Sequence, residues 1–168
     1  MTSLAIQAFV TEDGLLLNGH LFSQDAPVQD YAVVIGVPDR TIDPAPPAPY
    51  GHRNNQIHVF DSFGVYLNEH HSSQLIEAVT FVFRNDMAPF KTNENFSGQL
   101  NVFGVDVQKQ KSIKQYPAEW LSRFRRAYDG EYDVRLGRCW VGMSATGSVQ
   151  GKRELVKLPH FVHVTVCF

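Results

Sequence analysis

The sequence has few of the residues that tie a fold together covalently or carry it into a membrane. Only two of its 168 residues are cysteines, Cys139 and Cys167, which is too few for a disulfide framework. We expect both thiols to be reduced and buried in strands, with a single Cys139–Cys167 bridge as the alternative. No stretch approaches the ~20 apolar residues of a membrane span. The opening MTSLAIQAFVTEDG lacks the basic and apolar regions of a signal peptide, so a cytoplasmic location is predicted.

An excess of charge of one sign is also missing. The formal net charge is −2, from 15 Lys and Arg against 17 Asp and Glu. Such a balance argues against a nucleic acid or an acidic membrane surface as the partner. The prediction is therefore no nucleic acid and no membrane.

Motifs that carry common chemistries are absent as well. The chain has no G-x-S-x-G nucleophile turn, no phosphate-binding glycine loop and no His or Cys spacing typical of a metal site. We therefore predict no catalytic residue, no cofactor and no metal. In an enzyme, the region around Asp61, His70 and His71 would be the best candidate site, although NEHHSSQ is typical of a solvated turn.

What the sequence does contain is an internal repeat. Shifted by 85 residues, LLLNGHLF from Leu15 aligns without a gap with LNVFGVDV from Leu100, and AVTFVF aligns with HVTVCF. Tyr31 then matches Tyr116. A period this long is typical of a duplicated supersecondary unit rather than a solenoid. We predict a single domain, 1–168, built of two repeats, about 1–85 and 86–168.

Each repeat is predicted to contain a strand region, a helix and three further strands. In the first, LAIQAFV and LLLNGHLF flank the turn residues Asp13-Gly14, VQDYAVVIG forms a helix ending at Gly36, and QIHVFDS, GVYLNE and IEAVTFVF are strands. In the second, SGQLNVFGVDV is a strand, PAEWLSRFRRAY a helix, and EYDVRL, RCWVGMSA and HFVHVTVCF are strands. The predicted fold class is α+β: two tandem β-α-β-β-β units, with the helices on one face of an antiparallel sheet.

The other face of such a sheet would be open, and an open face that bears aromatic residues is typical of a binding surface. The proline-rich loop TIDPAPPAPYGHRNN presents Tyr and Arg, which are enriched in interface hot spots, or is a plain connector. The basic stretch from Lys109 to Arg126 indicates docking of an acidic partner, or only a solvated helix face. Nucleic acid is a weaker third reading of this stretch, because the rest of the chain is acidic. The predicted partner-binding residues are Tyr50, His52, Arg53, Tyr66, Arg123, Arg126 and Trp140.

The segments VIGVPDR, NQIHVFDSFGVYLNE and LIEAVTFVF resemble an uncharacterised bacterial group over about residues 15–107. Its members are encoded beside polymorphic toxins, including type VI secretion and Rhs effectors, as candidate immunity proteins. The resemblance is carried by mostly turn-forming residues, Gly36, Pro38, Asp39, Arg40, Asp61 and Gly64. The second repeat departs from this pattern, because FRRAYDGEYDVRLGR lacks the proline-aspartate-arginine sequence. The tandem arrangement is also similar to that of the β-lactamase inhibitory protein, in which two such units clasp an enzyme.

The resemblance implies an immunity protein that neutralises a cognate secreted toxin by direct binding, either in the toxin's active site or elsewhere on its surface. Two alternatives stay open: a hydrolase acting on a toxin product or small substrate, and an adaptor that loads an effector. The sequence does not distinguish a monomer from a dimer.

Overall fold

In a computed structural model, which describes residues 5–43, 55–88, 90–137, 139–149 and 152–168, the chain consists mainly of β-strands. The first half contains β1 (Gln7–Thr11), β2 (Gly14–Leu17), β3 (His20–Phe22), helix α1 (Val28–Ile35), β4 (Arg40–Ile42), β5 (Gln56–Phe60), β6 (Val65–Glu69) and β7 (Ile76–Val82). The second half contains β8 (Gln99–Val102), β9 (Val105–Val107), a 3₁₀ turn (Ile113–Gln115), helix α2 (Ala118–Leu121), β10 (Arg125–Tyr128), β11 (Glu131–Leu136), β12 (Cys139–Ser144), β13 (Thr146–Val149), β14 (Lys152–Lys157) and β15 (His163–Cys167).

These strands form two sheets and a separate hairpin, β13–β14. The larger sheet has eight strands in the order β10-β11-β12-β15-β7-β6-β5-β4, and the smaller has five in the order β3-β2-β1-β8-β9. Every pairing is antiparallel except that of β1 with β8. Both sheets draw strands from both halves of the chain, so the halves are joined along two separate seams.

The main hydrophobic core lies between the two sheets. One cluster of buried side chains includes Leu15 and Leu100 from the small sheet together with Val79 and Val164 from the large sheet. Tyr31 of α1 and Trp120 of α2 belong to this cluster, and Tyr31 stacks on Phe22 at a ring separation of 4.0 Å. Sheet-on-sheet packing of this kind needs an apolar inner face on each sheet, which the alternating strands supply.

The predicted α+β class, with helices on one face of a sheet, is therefore wrong. The hairpin that opens each half leaves the large sheet and joins the small one, which takes the place that the helices were predicted to occupy. Within the described residues there are two α-helices, of eight and four residues. Neither of them is long and apolar enough to cross a membrane.

The predicted helix from Pro117 to Tyr128 is also wrong beyond its first turn. Helix α2 ends at Leu121, and residues 125–128 form β10, which pairs with β11 across the turn residues Asp129-Gly130. Asp-Gly between two runs of β-formers is a strong hairpin signal, and here it outweighs the helical spacing of the aromatic residues. Gly130 has a φ of +84°, a conformation that such turns require.

The centre of the large sheet relates the two halves. Strands β7 and β15 are antiparallel neighbours, and Thr80 lies directly opposite Thr165. Their hydroxyls are 2.9 Å apart, and the two residues are separated by 85 positions, which is the offset of the sequence repeat. Outward from this pair, β6 corresponds to β12, β5 to β11 and β4 to β10 in the order of strands.

Both cysteines are free in the structure, so the alternative of a disulfide bridge does not apply. Cys139 is buried and Cys167 is partly buried. Burial, assisted by the nearby Glu77 carboxylate, raises the pKa of Cys167 to about 11. Burial also raises the pKa of Cys139. Both cysteines are therefore in the thiol form near neutral pH, and a thiol is much less reactive than a thiolate.

Candidate binding site on the outer face of the large sheet

The large sheet has an outer face that points away from the main core. Directly opposed residues of antiparallel strands share a face, and one row across the sheet runs from Tyr66 through Thr80, Thr165 and Gly142 to Asp133. The two halves of this face differ in what lies on them. We call the outer face of β5–β7 the covered half, and that of β10–β12 the open half.

The covered half is capped by the chain itself. A covering segment (residues 84–88 and 90–96) follows β7. Its Ala88 and Phe90 pack on this half in a small second core with Ile57, Val59, Tyr66 and Val82, whereas Phe96 belongs to the main core. The rings of Tyr66 and Phe90 meet edge to face at 5.3 Å. Burial raises the pKa of the Tyr66 hydroxyl, although its hydrogen bond to Thr80 opposes this shift. Tyr66, a predicted partner-binding residue, is therefore a core residue.

A polar latch holds the covering segment in place. The Asp61 carboxylate accepts hydrogen bonds from Arg40 Nε (2.7 Å), Arg40 Nη2 (3.1 Å) and the backbone N–H of Asn93 (2.9 Å). Arg40 Nη2 also donates to the carbonyl of Lys91 at 2.6 Å. These bonds, that from Arg40 above all, lower the pKa of Asp61. Asp61 thus fastens strand β4 and the covering segment to the β5–β6 turn.

The open half contains a pocket of about 300 Å³ between β10, β11 and β12. It is lined by Ala127, Tyr128, Glu131, Tyr132, Asp133, Trp140 and Gly142. Trp140 is 37% exposed and Tyr128 is 78% exposed, which is unusual for large aromatic side chains. The Trp140 ring lies over Gly142, where a Cβ atom would overlap its Cη2 atom. The absence of a side chain at Gly142 is what allows the indole to lie on the sheet.

Polar side chains lie in and beside the pocket. Glu131 Oε1 accepts hydrogen bonds from the hydroxyls of Ser144 (2.6 Å) and Thr146 (2.5 Å). Asp133 is held through both oxygens by the exposed Arg125, at 3.1 and 3.0 Å. The pocket therefore has aromatic walls and two carboxylates.

His163 lies directly opposite Ser144 on the same face. Burial lowers the pKa of His163, and the Glu131 carboxylate opposes this shift. Within the described ranges its Nδ1 atom is buried and has no hydrogen-bond partner. A neutral imidazole is therefore favoured at this position.

The other predicted partner-binding residues are distributed as follows. Arg123 Nη2 lies 3.5 Å from Glu12, and its guanidinium lies 4.6 Å from the Phe103 ring. Arg126 pairs with Asp129 at 2.7 Å. Of the four predicted residues that the structure describes, Trp140 alone lies in the pocket. The remaining three, Tyr50, His52 and Arg53, lie outside the described residues.

Tyr128, Glu131 and Asp133 are not among the residues predicted from the sequence, and Arg126 was predicted where Arg125 lies on the outer face. A helix through residue 128 would not show the alternation of β10, in which Arg125 pairs with Asp133 and Arg126 with Tyr132. The Asp129-Gly130 turn is the signal that could have placed all four residues on one hairpin.

The residues of the enzyme alternative do not form a catalytic arrangement with one another. Asp61 is occupied by the latch, and His70 Nδ1 accepts hydrogen bonds within its own turn, from the backbone N–H groups of Ser72 and Ser73. A different histidine, His58, lies 2.8 Å from Glu69. Across the part of the chain that the structure describes, no group of three or more His, Cys, Asp or Glu residues could hold a metal ion.

Comparison with protein families gives one match, described as a domain of unknown function, DUF7738, over residues 9–116. This is more than half of the chain. The chain belongs to the DUF7738 family. The matched region of the DUF7738 protein includes the latch residues Arg40, Asp61 and Asn93 and the whole covered half, whereas β10–β12 and their pocket lie beyond it. No curated protein and no solved structure matches the chain.

Proposed function

We propose that this DUF7738 protein is a cytoplasmic immunity protein, which binds a secreted antibacterial toxin on the open half of its large sheet and thereby neutralises it. The observation that carries the proposal is the contrast between the two halves of one sheet face. The chain covers the first half with its own residues and buries Tyr66 there. On the other half, Trp140 and Tyr128 stay exposed beside a pocket.

The chemistry of the open half suits a protein partner. Trp and Tyr are the residues most enriched in interface hot spots, since they bury a large area and lose little side-chain entropy. The three strands that carry them are hydrogen-bonded to their neighbours in the sheet, so little ordering is needed on binding. A stable complex buries about 800 Å² on each partner, so the toxin would extend beyond the pocket on all sides.

The role of toxin neutralisation is supported by the resemblance of VIGVPDR and the following strands to candidate immunity proteins. In the structure these residues serve the fold: Arg40 and Asp61 form the latch, and Asp39 accepts a hydrogen bond from the Ser62 backbone. In this proposal the family pattern therefore maintains the scaffold, and the pocket outside it provides the specificity for a particular toxin.

The test is co-expression with the product of the adjacent gene, measuring growth and co-purification. We expect restored growth and a 1:1 complex. Trp140→Ala and Tyr128→Ala should each weaken the complex by about 30-fold or more, which corresponds to ~2 kcal/mol at a hot spot. Val33→Ala is the matched control, because Val33 is 89% exposed on α1, away from the pocket.

The possible outcomes separate the alternatives. A complex in which the toxin stays active would indicate an adaptor rather than an immunity protein. Failure to bind and to restore growth would refute the proposal. Full affinity in both aromatic variants, with their folding unchanged in thermal melts, would show that the toxin docks elsewhere.

A further inference from the structure

The pocket on the open half combines aromatic walls with negative charge. Trp140 and Tyr128 line one part of it, and Glu131 and Asp133 contribute carboxylates. Its volume of about 300 Å³ is at the small end of the range for ligand sites. A pocket of this size suits one side chain better than a drug-sized molecule.

Glu131 has one carboxylate oxygen, Oε2, that can accept a further donor. Both hydroxyls that bind Glu131, from Ser144 and Thr146, donate to Oε1. Among the side chains that the structure describes, which do not include those of residues 148–149 and 152–157, none donates to Oε2 and no cation lies within ion-pair distance of Glu131. Asp133, in contrast, already has both oxygens on Arg125. A carboxylate fixed by two hydroxyls is preorganised to accept a further charged donor.

The Trp140 ring supplies the second element of cation recognition. Its indole lies over Gly142, is more than a third exposed, and lines the same pocket as Glu131. Cations are attracted to the faces of aromatic rings, and Trp gives the strongest such interaction. Guanidinium groups in addition stack flat on these rings and donate several parallel N–H groups, which an ammonium cannot do.

We infer that this pocket binds the guanidinium group of an arginine side chain of the partner protein, stacked on Trp140 and hydrogen-bonded to Glu131. The inference rests on the proposed function for the existence of that partner. It adds the chemistry of recognition: a toxin bound here presents an exposed arginine. Arg125, held on Asp133 at the edge strand of the same hairpin, shows how a guanidinium is bound by a carboxylate of this surface.

The test uses the full ¹⁵N-labelled protein without any toxin. N-acetylarginine amide is titrated while the two indole N–H resonances are followed by NMR. Trp120 is an internal reference, because its indole is buried and donates to the Val102 carbonyl at 2.7 Å. We expect the Trp140 resonance to shift with a dissociation constant on the order of 1–10 mM, as befits a single side chain, and the Trp120 resonance to stay in place.

Three comparisons make the result specific. N-acetylcitrulline amide, which has the shape of the arginine probe without its charge, should not shift Trp140, and N-acetyllysine amide should bind more weakly than arginine. Glu131→Gln should weaken arginine binding at least several-fold, whereas Glu119→Gln, at an exposed glutamate on α2, should not. Gly142→Ala should also weaken binding, because it displaces the Trp140 ring without removing it.

Equal binding of citrulline and arginine, tighter binding of lysine, or no shift of Trp140 at ~100 mM arginine amide would each overturn the inference. These results do not depend on toxin capture. If the protein binds arginine but fails to rescue growth, the inference about the pocket is supported and the proposed function is rejected. If it captures the toxin but does not bind arginine, the proposed function is supported and the inference about the pocket is rejected.

Discussion

Removal of the Asp61 carboxylate tests whether the latch holds the covering segment on the sheet. In Asp61→Ala the backbone N–H of Asn93 loses its acceptor, and Arg40 loses both of its bonds to the carboxylate. Because Asn93 is itself exposed, water can replace the lost acceptor in part, and its loss costs about 0.5–1.5 kcal/mol. Since the Arg40 side chain is 42% exposed, its ion pair contributes only about 0.5–1 kcal/mol. The expected loss in free energy of unfolding is therefore about 1–2.5 kcal/mol.

The same segment offers a matched control. Arg84 binds Asp86 through the same two nitrogens, at 3.1 and 2.9 Å, but the Asp86 side chain is 57% exposed. Asp86→Ala should cost no more than about 1 kcal/mol. Both variants are compared with the natural protein by urea denaturation at pH 7, with hydrogen exchange of the Asn93 amide as a local probe. Equal losses for the two variants, or an unchanged Asn93 exchange rate in Asp61→Ala, would refute the latch.

Acid should remove the difference between Asp61→Ala and the natural protein. The folded-state pKa of Asp61 lies below its ordinary value because Arg40 and Asn93 stabilise the carboxylate. The stabilisation is therefore complete above the unfolded pKa, about 4, and is lost as pH falls through the lower folded pKa. Urea titrations repeated between pH 5 and pH 2.5 should show the two unfolding free energies converging. If the difference between the two unfolding free energies stays constant over this range, the charge of Asp61 does not stabilise the fold.

Three further perturbations address other parts of the structure. Gly64→Ala should lower the free energy of unfolding by at least ~3 kcal/mol more than Gly104→Ala, as measured by thermal or urea unfolding. Both glycines have a positive φ, but a Cβ atom would overlap the backbone at Gly64, whereas it would meet open space at Gly104. In the natural protein, the lowered pKa of His163 should reduce the free energy of unfolding by up to ~1.4 kcal/mol for each pH unit below about 6.5, and His163→Asn should make this decrease smaller. An unchanged dependence on pH would contradict the lowered pKa. Thr80→Val should cost about 1–2 kcal/mol, because the hydroxyls of Thr165 and Tyr66 both lose their bond to Thr80. The double variant Thr80→Val, Thr165→Val should cost less than the sum of the single ones in a double-mutant cycle.

Elements fixed by local pattern could be predicted from the sequence. The hairpin at Asp13-Gly14, helix α1 with its end at Gly36, and the strands β5, β6 and β7 all lie where turn residues and alternation indicated. Each depends on interactions between residues close together in the chain. The same local reading failed over residues 122–128, where pairing with β11 decided between two competing patterns.

The division into two sheets could not be read in this way. It depends on the parallel pairing of β1 with β8, for example of Val10 with Val102, between segments that the local pattern does not connect. Most residues of the candidate site could not be predicted for the same reason. Trp140 was among the residues predicted from the sequence, as an aromatic residue on a sheet strand, whereas Glu131 and Asp133 are brought to the same pocket only by the pairing of their strand with its neighbours.

The position of β15 has a consequence for how the protein is made. This strand lies in the middle of the large sheet, between β7 and β12, although it is the last along the chain of the fifteen strands in the described residues. While a ribosome is still translating the second half, β7 lacks its neighbour and presents an unpaired apolar edge, whose residues Val79 to Val82 are all buried in the finished fold. Such edges are sites of aggregation, and pairings this distant in sequence form slowly. The nascent chain is therefore prone to aggregation through β7 until residues 163–167 emerge and complete the sheet.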